Sequence, residues 1–197
     1  MKNIIRHVTS LALISLFTML STQASSSETD PAKLLAALNS KTARNKIEST
    51  TENKKRGITT KIDEVYSFVF ALDRKEKLII RFTEEIQTFK NGQYIDKLIT
   101  FGKVSFNPVD IDPERIKIDN GRVIIICRDL KKCMNRGYQV RETNTKGETT
   151  NKATGNYATN SFILRGFNQP LAEKIKKDLQ ALFTLPALPD PAPKPER

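Results

Sequence analysis

The sequence predicts a mostly β fold of the α+β class that ends in one amphipathic helix. Apolar and polar residues alternate over residues 78–87, as in a strand that is buried on one face. Asn-Gly pairs at 91–92 and 120–121 are strong signals for tight hairpin turns. Near the C-terminus, apolar residues recur at helical spacing behind an Asn168 cap: Leu171, Ile175, Leu179, Leu182 and Phe183.

The remaining predicted strands follow one another as hairpins. Residues 65–72 are aromatic and β-branched, which is typical of a strand buried on both faces. Glu84 interrupts the apolar face of 78–87, so we expect it at a sheet edge or a bulge. Residues 143–160 are polar and contain glycine, and we interpret them as a long loop. The other predicted strands lie at 94–106, 115–118, 122–127, around 138–140 and at 162–164.

Residues 1–24 have the pattern of a secretory signal peptide. Lys2 and Arg6 form a positive start, an apolar run spans residues 8–20, and small residues lead to Ala24. A spanning helix needs about 20 apolar residues, so cleavage after Ala24 is favoured over an uncleaved anchor. We therefore expect a periplasmic or secreted protein.

Net charge narrows the class of partner. Cleavage would lower the charge from +11 to +9, because Lys2 and Arg6 leave and no acidic residue does. A basic exported protein attracts anionic lipid head groups, polyanionic glycans or acidic proteins. Nucleic acid is also a polyanion, but it is scarce outside the cytoplasm, so we expect no nucleic-acid partner. Ordinary solubility charge is the alternative interpretation.

The domain boundaries follow from composition. Residues 25–57 are predicted as a polar leader, with a short helix that Asp30 and Pro31 start, followed by a basic linker at 40–57. The compact domain is expected to span residues 58–185. Residues 186–197 contain five prolines and are predicted to form an extended tail.

Two cysteines, Cys127 and Cys133, lie in the stretch 121–140. In an oxidising compartment an even pair is most simply a disulfide, and the C-x5-C spacing differs from that of a redox dithiol or a zinc knuckle. Two free buried thiols are the alternative. We expect the bridge to lace a hairpin made of the β-branched run before Cys127 and the extended run after Cys133.

Several chemistries are missing from the sequence. His7 is the only histidine and lies in the predicted signal peptide, so the mature chain would lack the commonest general base. The phosphate-loop, dinucleotide-binding and nucleophile-elbow motifs are absent. We expect no catalytic residue, no cofactor and no metal. Asp110 and Asp112 could hold a hard cation, with a polar turn as the alternative.

The chain resembles a family of uncharacterised exported bacterial proteins with a pleckstrin-homology-like domain. The resemblance rests on VIIICRDLKKC, SFIL and LAEKIKKDLQALFTL and covers about residues 58–185. It implies a bent antiparallel barrel of about seven strands, in which a C-terminal amphipathic helix plugs one open end. It also implies a binding role.

Basic residues near the cysteines form the best candidate binding site. Arg128, Lys131 and Lys132 would project from the tip of the bridged hairpin, with Arg136 behind them. Such a tip suits phosphate or carboxylate groups, and the turn with Arg74, Lys75 and Lys77 would add to it.

The sequence therefore predicts a non-catalytic binding or adaptor module at the bacterial cell envelope, which contacts protein or anionic lipid through this hairpin. The alternatives are an envelope hydrolase that uses carboxylates distant along the chain, a purely structural envelope protein, and a merely solvated charged loop.

Overall fold

The computed structural model describes residues 30–53, 56–73 and 77–185. The predicted signal peptide, Arg74, Lys75 and the proline-rich tail lie outside these residues. The described elements, in chain order, are α1 (Pro31–Thr42), β1 (Asn45–Asn53), β2 (Ile58–Leu72), β3 (Leu78–Lys90), β4 (Gln93–Phe106), β5 (Lys117–Asp119), β6 (Arg122–Ile126), β7 (Met134–Thr143), β8 (Thr149–Thr159), β9 (Ser161–Leu164) and α2 (Gln169–Phe183).

Within the described ranges the strands form two antiparallel sheets. The larger has six strands in the order β1-β2-β3-β4-β7-β8, and the smaller has three in the order β5-β6-β9. The chain crosses between the sheets after β4, β6 and β8. The predicted mostly β class is confirmed, and so is the C-terminal helix. The two sheets share no strand, so the described residues form two separate antiparallel sheets and no closed barrel.

The hydrophobic core lies against one half of the six-stranded sheet. Tyr66, Phe68 and Phe70 of β2 alternate with exposed or half-buried residues, and we call the face that they occupy the inner face. Phe162 of β9 contacts Phe68 and Phe82 with ring centroids 6.3 and 5.4 Å apart, so the small sheet covers the inner face there. The other half of β2, from Ile58 to Val65, is half-buried throughout.

The C-terminal helix α2 closes this core. Asn168 caps it by accepting a hydrogen bond from the Leu171 amide at 2.9 Å, as predicted. The predicted apolar stripe faces inward, and Phe183 lies edge-on to Phe106 with ring centroids 6.0 Å apart.

The segment before residue 58 belongs to the fold, which differs from the predicted linker at 40–57. Strand β1 pairs with β2 from Asn45 opposite Tyr66 to Asn53 opposite Ile58. Beyond Tyr66, where β2 is no longer paired with β1, helix α1 packs against the same edge of β2. There Thr42 Oγ1 donates a hydrogen bond to the Phe68 carbonyl at 2.8 Å. Strand β1 was missed because its side chains are almost all polar and exposed, so no alternation marks it.

Residues 143–160 were predicted as a long loop, and that prediction is wrong. Strand β8 fills most of this segment and forms a hairpin with β7, with Asn144 and Glu148 closing the turn. It is an edge strand with little to bury, and threonines favour the extended backbone. Its sequence therefore lacks the apolar pattern that would have revealed a strand.

Glu84 was predicted at an edge or a bulge, and this is also wrong. It lies within β3, paired with Tyr66 of β2 on one side and Thr100 of β4 on the other. The register shift between β3 and β4 falls at Thr88/Phe89 instead.

The disulfide between Cys127 and Cys133 is present as predicted, with the two Cα atoms 5.9 Å apart. The hairpin that it was expected to lace is not formed. Strand β6 pairs with β5 and β9, whereas β7 pairs with β4 and β8. Two consecutive apolar extended runs look like a hairpin in sequence, but here each belongs to a different sheet. The bridge therefore closes the crossover between the sheets.

We predict that opening this bridge destabilises the fold without abolishing it. A closed loop of this size contributes about 2 kcal/mol in the chain-entropy model, which corresponds to a fall in Tm of roughly 4–8 °C for a chain of this length. Thermal unfolding of oxidised and reduced protein measures the difference. Equal Tm values, or two titratable thiols in the native unreduced protein, would contradict the assignment.

Candidate functional site

Several connections meet at one end of the six-stranded sheet. Strand β2 ends at Leu72, β3 starts at Leu78, β4 ends at Phe106, and β7 starts at Met134. We call this end the basal end. The segment 107–111 and the disulfide-closed loop 127–133 both lie there. They are joined by a bridge between Ile111 and Cys127 and by the Arg128 Nη2 atom, which donates to the Ile111 carbonyl at 3.3 Å.

The disulfide-closed loop is tied down by backbone contacts on several sides. The Cys127 amide donates to the Asn160 carbonyl at 2.8 Å, and Asn160 Nδ2 donates to the Leu130 carbonyl at 3.4 Å. The Cys133 sulfur lies 3.8 Å from the Asp110 carbonyl oxygen. The loop is thus attached both to segment 107–111 and to the β8–β9 turn, so it presents its side chains from a fixed base.

The loop holds two consecutive residues in the left-handed region. Asp129 has φ 56° and Leu130 has φ 57°. For a residue with a Cβ atom this conformation is unfavourable by about 1–2 kcal/mol, and a bulky aliphatic residue is rare there. Leu130 is nevertheless found in this conformation, and it is 55% exposed. Val109 of the adjoining segment is 62% exposed.

Three of the four predicted site residues lie in the same loop as Leu130, next to the segment that carries Val109. Arg128, Lys131 and Lys132 are exposed in the same short loop. We define the basal surface as Val109, Arg128, Leu130, Lys131 and Lys132. Asp110 and Asp129 are the acidic residues of the two segments, so charge alone does not determine what this surface binds.

Arg136, the fourth predicted residue, lies elsewhere. It is half-buried on the inner face of β7, with its guanidinium carbon 5.0 Å from the centre of the Phe82 ring and 5.6 Å from that of Phe162. Tyr138 and Tyr157 lie within 6.0 Å of it as well. Its Nε atom is buried and has no hydrogen-bond partner among the described residues. Arg136 therefore caps the aromatic core at its border and is not part of the basal surface.

Acidic groups lie beside Arg136 on the same face. Strand register places Glu64 of β2 and Glu84 of β3 on the inner face as diagonal neighbours, because Glu84 is paired with Tyr66, two residues after Glu64. Burial raises the pKa of Glu84 above its ordinary value, while the charges of Arg165 and Arg136 act in the opposite direction. Burial, followed by the neighbouring Glu64 carboxylate, raises the pKa of Tyr66 to about 12. These two carboxylates, distant along the chain, are brought together only by the sheet.

The apolar part of the basal surface was missed from sequence. Leu130 is the one large aliphatic residue between Arg128 and Cys133, and an isolated aliphatic residue in a charged loop is a signal that could have been used. Val109 follows a proline in the short 3-10 turn Pro108–Asp110 and has no such signal. Asp112 caps the turn at 113–115 by accepting from the Glu114 amide at 3.1 Å, as the alternative interpretation of a polar turn expects.

Comparison with protein-family models, with curated proteins and with solved structures finds no match to this chain. Neither α1 nor α2, the helices of the described residues, is long and apolar enough to cross a membrane. The described residues also contain no group of three His, Cys, Asp or Glu side chains placed to hold a metal ion.

We predict that replacing Glu84 with glutamine stabilises the protein at neutral pH. The pKa of Glu84 is raised in the folded state, so its favourable contribution is complete at acidic pH and is lost as pH rises through the folded-state value. Glutamine resembles the protonated acid and avoids this loss. The Tm of Glu84→Gln should exceed that of the parent at pH 7, and the two should converge below about pH 4.

Glu85→Gln is the matched control for this prediction. Glu85 lies on the opposite face of β3 and pairs with Lys97 at 2.6 Å, so its replacement should give no gain at pH 7. A Glu84→Gln variant that is less stable than the parent at pH 7 would contradict the sign of the effect.

Proposed function

We propose that the protein is an exported, non-catalytic binding module that docks on an anionic membrane surface through its basal surface. The observation that carries the proposal is the pair of exposed apolar side chains, Val109 and Leu130, among three cations at one end of the fold. Apolar side chains at loop tips flanked by lysine and arginine suit the boundary between head groups and acyl chains.

The magnitudes favour reversible binding. Full burial of a leucine or valine side chain is worth about 1.5–3 kcal/mol, and each lysine or arginine near an anionic surface adds about 1 kcal/mol. Asp110 and Asp129 oppose part of the electrostatic attraction. The apolar side chains must therefore supply a share of the binding energy, and the net charge, +11 for the full sequence and +9 after the expected cleavage, supplies long-range attraction.

We propose an anionic lipid surface rather than a protein, although the sequence allowed both partners. Leu130 is exposed and has a positive φ, and both are unfavourable for leucine in water. Insertion of its side chain into a bilayer would offset this cost. A protein partner becomes an outcome of the test below.

We also propose that the protein is exported and that its fold is related to the pleckstrin-homology domain. A disulfide-bonded cysteine pair is consistent with an oxidising compartment, which supports export to the periplasm or the medium. A pleckstrin-homology-like relationship is supported by two antiparallel sheets that face each other around a core and by the C-terminal helix.

We predict that the purified protein co-sediments with anionic vesicles at low salt and that binding fades as salt rises. The double variant Lys131→Glu/Lys132→Glu should bind at least tenfold more weakly, because it reverses two charges at the surface. Lys146→Glu, which changes an exposed lysine in the β7–β8 turn at the other end of the sheet, is the control and should change binding little. No binding to anionic vesicles at low salt would discard the lipid proposal and leave a protein partner.

The apolar contribution has its own test. Leu130→Gly removes the side chain at a position whose positive φ favours glycine, so the fold should be retained or slightly stabilised. We predict that vesicle binding by this variant weakens by about tenfold, since most of one buried leucine is lost. Unchanged binding with unchanged Tm would show that Leu130 does not enter the bilayer.

A further inference from the structure

The outer face of the six-stranded sheet, opposite the inner face, carries an unusual pair of side chains. Arg81 of β3 and Lys103 of β4 are direct cross-strand partners and both are exposed. Like charges at such positions, with Cβ atoms about 4.5–5.5 Å apart, destabilise a sheet. Neither residue has an ion-pair or hydrogen-bond partner among the described residues. Two other lysines of this sheet, the exposed Lys46 and the half-buried Lys61, do pair with carboxylates.

A glycine lies directly beside this pair. Gly137 of β7 is the partner of Lys103 on the next strand, so Arg81, Lys103 and Gly137 form one row across three strands. The row continues on β8 at the exposed Asn156. Because Gly137 has no side chain, a shallow and open depression of about 470 Å3 lies along the row, and Thr83, Phe101 and Gln139 also line it.

The fold itself gives no reason for glycine at this position. A Cβ atom at Gly102 would collide with the ring of Phe82, and one at Gly155 would collide with the ring of Tyr138, so packing requires both of those glycines. A Cβ atom at Gly137 would meet only the Gly155 carbonyl oxygen, at 4.0 Å, and the φ of Gly137 is not in the left-handed region. A glycine inside a strand weakens it and often marks a site where a ligand approaches the backbone closely.

Two unfavourable local choices therefore coincide, an uncompensated pair of cations and a glycine without a structural role. We propose that the depression is a binding site for a phosphate group. Arg81 and Lys103 would neutralise the anion, and the Thr83 hydroxyl would supply a further hydrogen-bond donor. The Gln139 amide nitrogen donates to Asn151 Oδ1 at 3.2 Å, and its second N–H group would be the additional donor. Phe101, on whose ring Arg141 is stacked at 5.2 Å, would form an apolar wall for the group that carries the phosphate.

This site is separate from the basal surface. Arg81 and Lys103 are three residues from the strand ends at Leu78 and Phe106, which is about 10 Å along the sheet. None of the five residues of the basal surface lines the depression. The two proposals can therefore fail independently.

The test is a titration of the purified protein with inorganic phosphate at constant ionic strength, followed by amide chemical shifts. We expect saturable shifts at Lys103, Gly137 and Gln139. Arg81→Gln/Lys103→Gln should bind phosphate at least tenfold more weakly, while its Tm at low phosphate should not fall, because a like-charge pair has been removed. Lys146→Gln, with a lysine lost in the turn at the far end of the sheet, should bind as the parent does.

Gly137→Val keeps every charge and fills the depression. It should fold, since valine favours strands and the space beside Gly137 is open, and it should also lose at least tenfold in phosphate affinity. Absence of saturable shifts in the parent, or undiminished affinity in both Gly137→Val and the double variant, would overturn the proposal. Lys131→Glu/Lys132→Glu should retain phosphate binding even where it loses vesicle binding.

A second arm distinguishes the source of the phosphate. Vesicles with phosphatidic acid are compared for the parent and for Arg81→Gln/Lys103→Gln, alongside the titration with free phosphate. Weaker vesicle binding by this variant would assign the site to a lipid head group. Equal vesicle binding, with phosphate binding lost, would assign it to a soluble phosphorylated compound.

Discussion

The disulfide at the crossover between the two sheets is the constraint on which the candidate site depends. The chain leaves the small sheet at Ile126 and enters the large sheet at Met134. The Cys127–Cys133 bridge holds the two ends of this connection together. The loop between the cysteines is also attached by hydrogen bonds to segment 107–111 and to the β8–β9 turn. Its backbone takes up left-handed conformations, and Leu130 is directed outward.

The same sheet supports two kinds of surface because its strands are longer than the core that covers them. The inner face is covered near the basal end by β9 and α2, and Arg136 marks the border where aromatic packing gives way to polar groups. Glu84 lies just beyond that border, where partial burial raises its pKa. On the outer face, Arg81 and Lys103 are exposed and are not covered by any of the described residues. Two pairs of exposed residues are therefore not explained by the fold. They are Val109 and Leu130 at the basal end and Arg81 and Lys103 on the outer face.

The sequence predicted those parts of the fold whose pattern is local. The cap and stripe of α2, the alternation in β3 and the cysteine pair each depend on residues within a few positions, and each is confirmed. Pairing between distant segments was not predictable in this way. Strands β1 and β8 have almost no buried side chains and pair only because a neighbouring edge is available, and β6 and β7 separate into different sheets through contacts far apart in sequence. The site was predictable to the same extent: the basic loop was visible, but the exposure of Leu130 and Val109 and the separate position of Arg136 arise from tertiary packing.

The most direct test of membrane docking uses the absence of tryptophan from the chain. A Leu130→Trp variant carries one tryptophan at the centre of the basal surface, so its fluorescence reports that position alone. With anionic vesicles that contain brominated lipids, docking through this surface predicts a blue shift of the emission and the strongest quenching by bromines at shallow acyl positions. Emission that stays unshifted and unquenched at every vesicle concentration would contradict the account, because Leu130 would then remain in water.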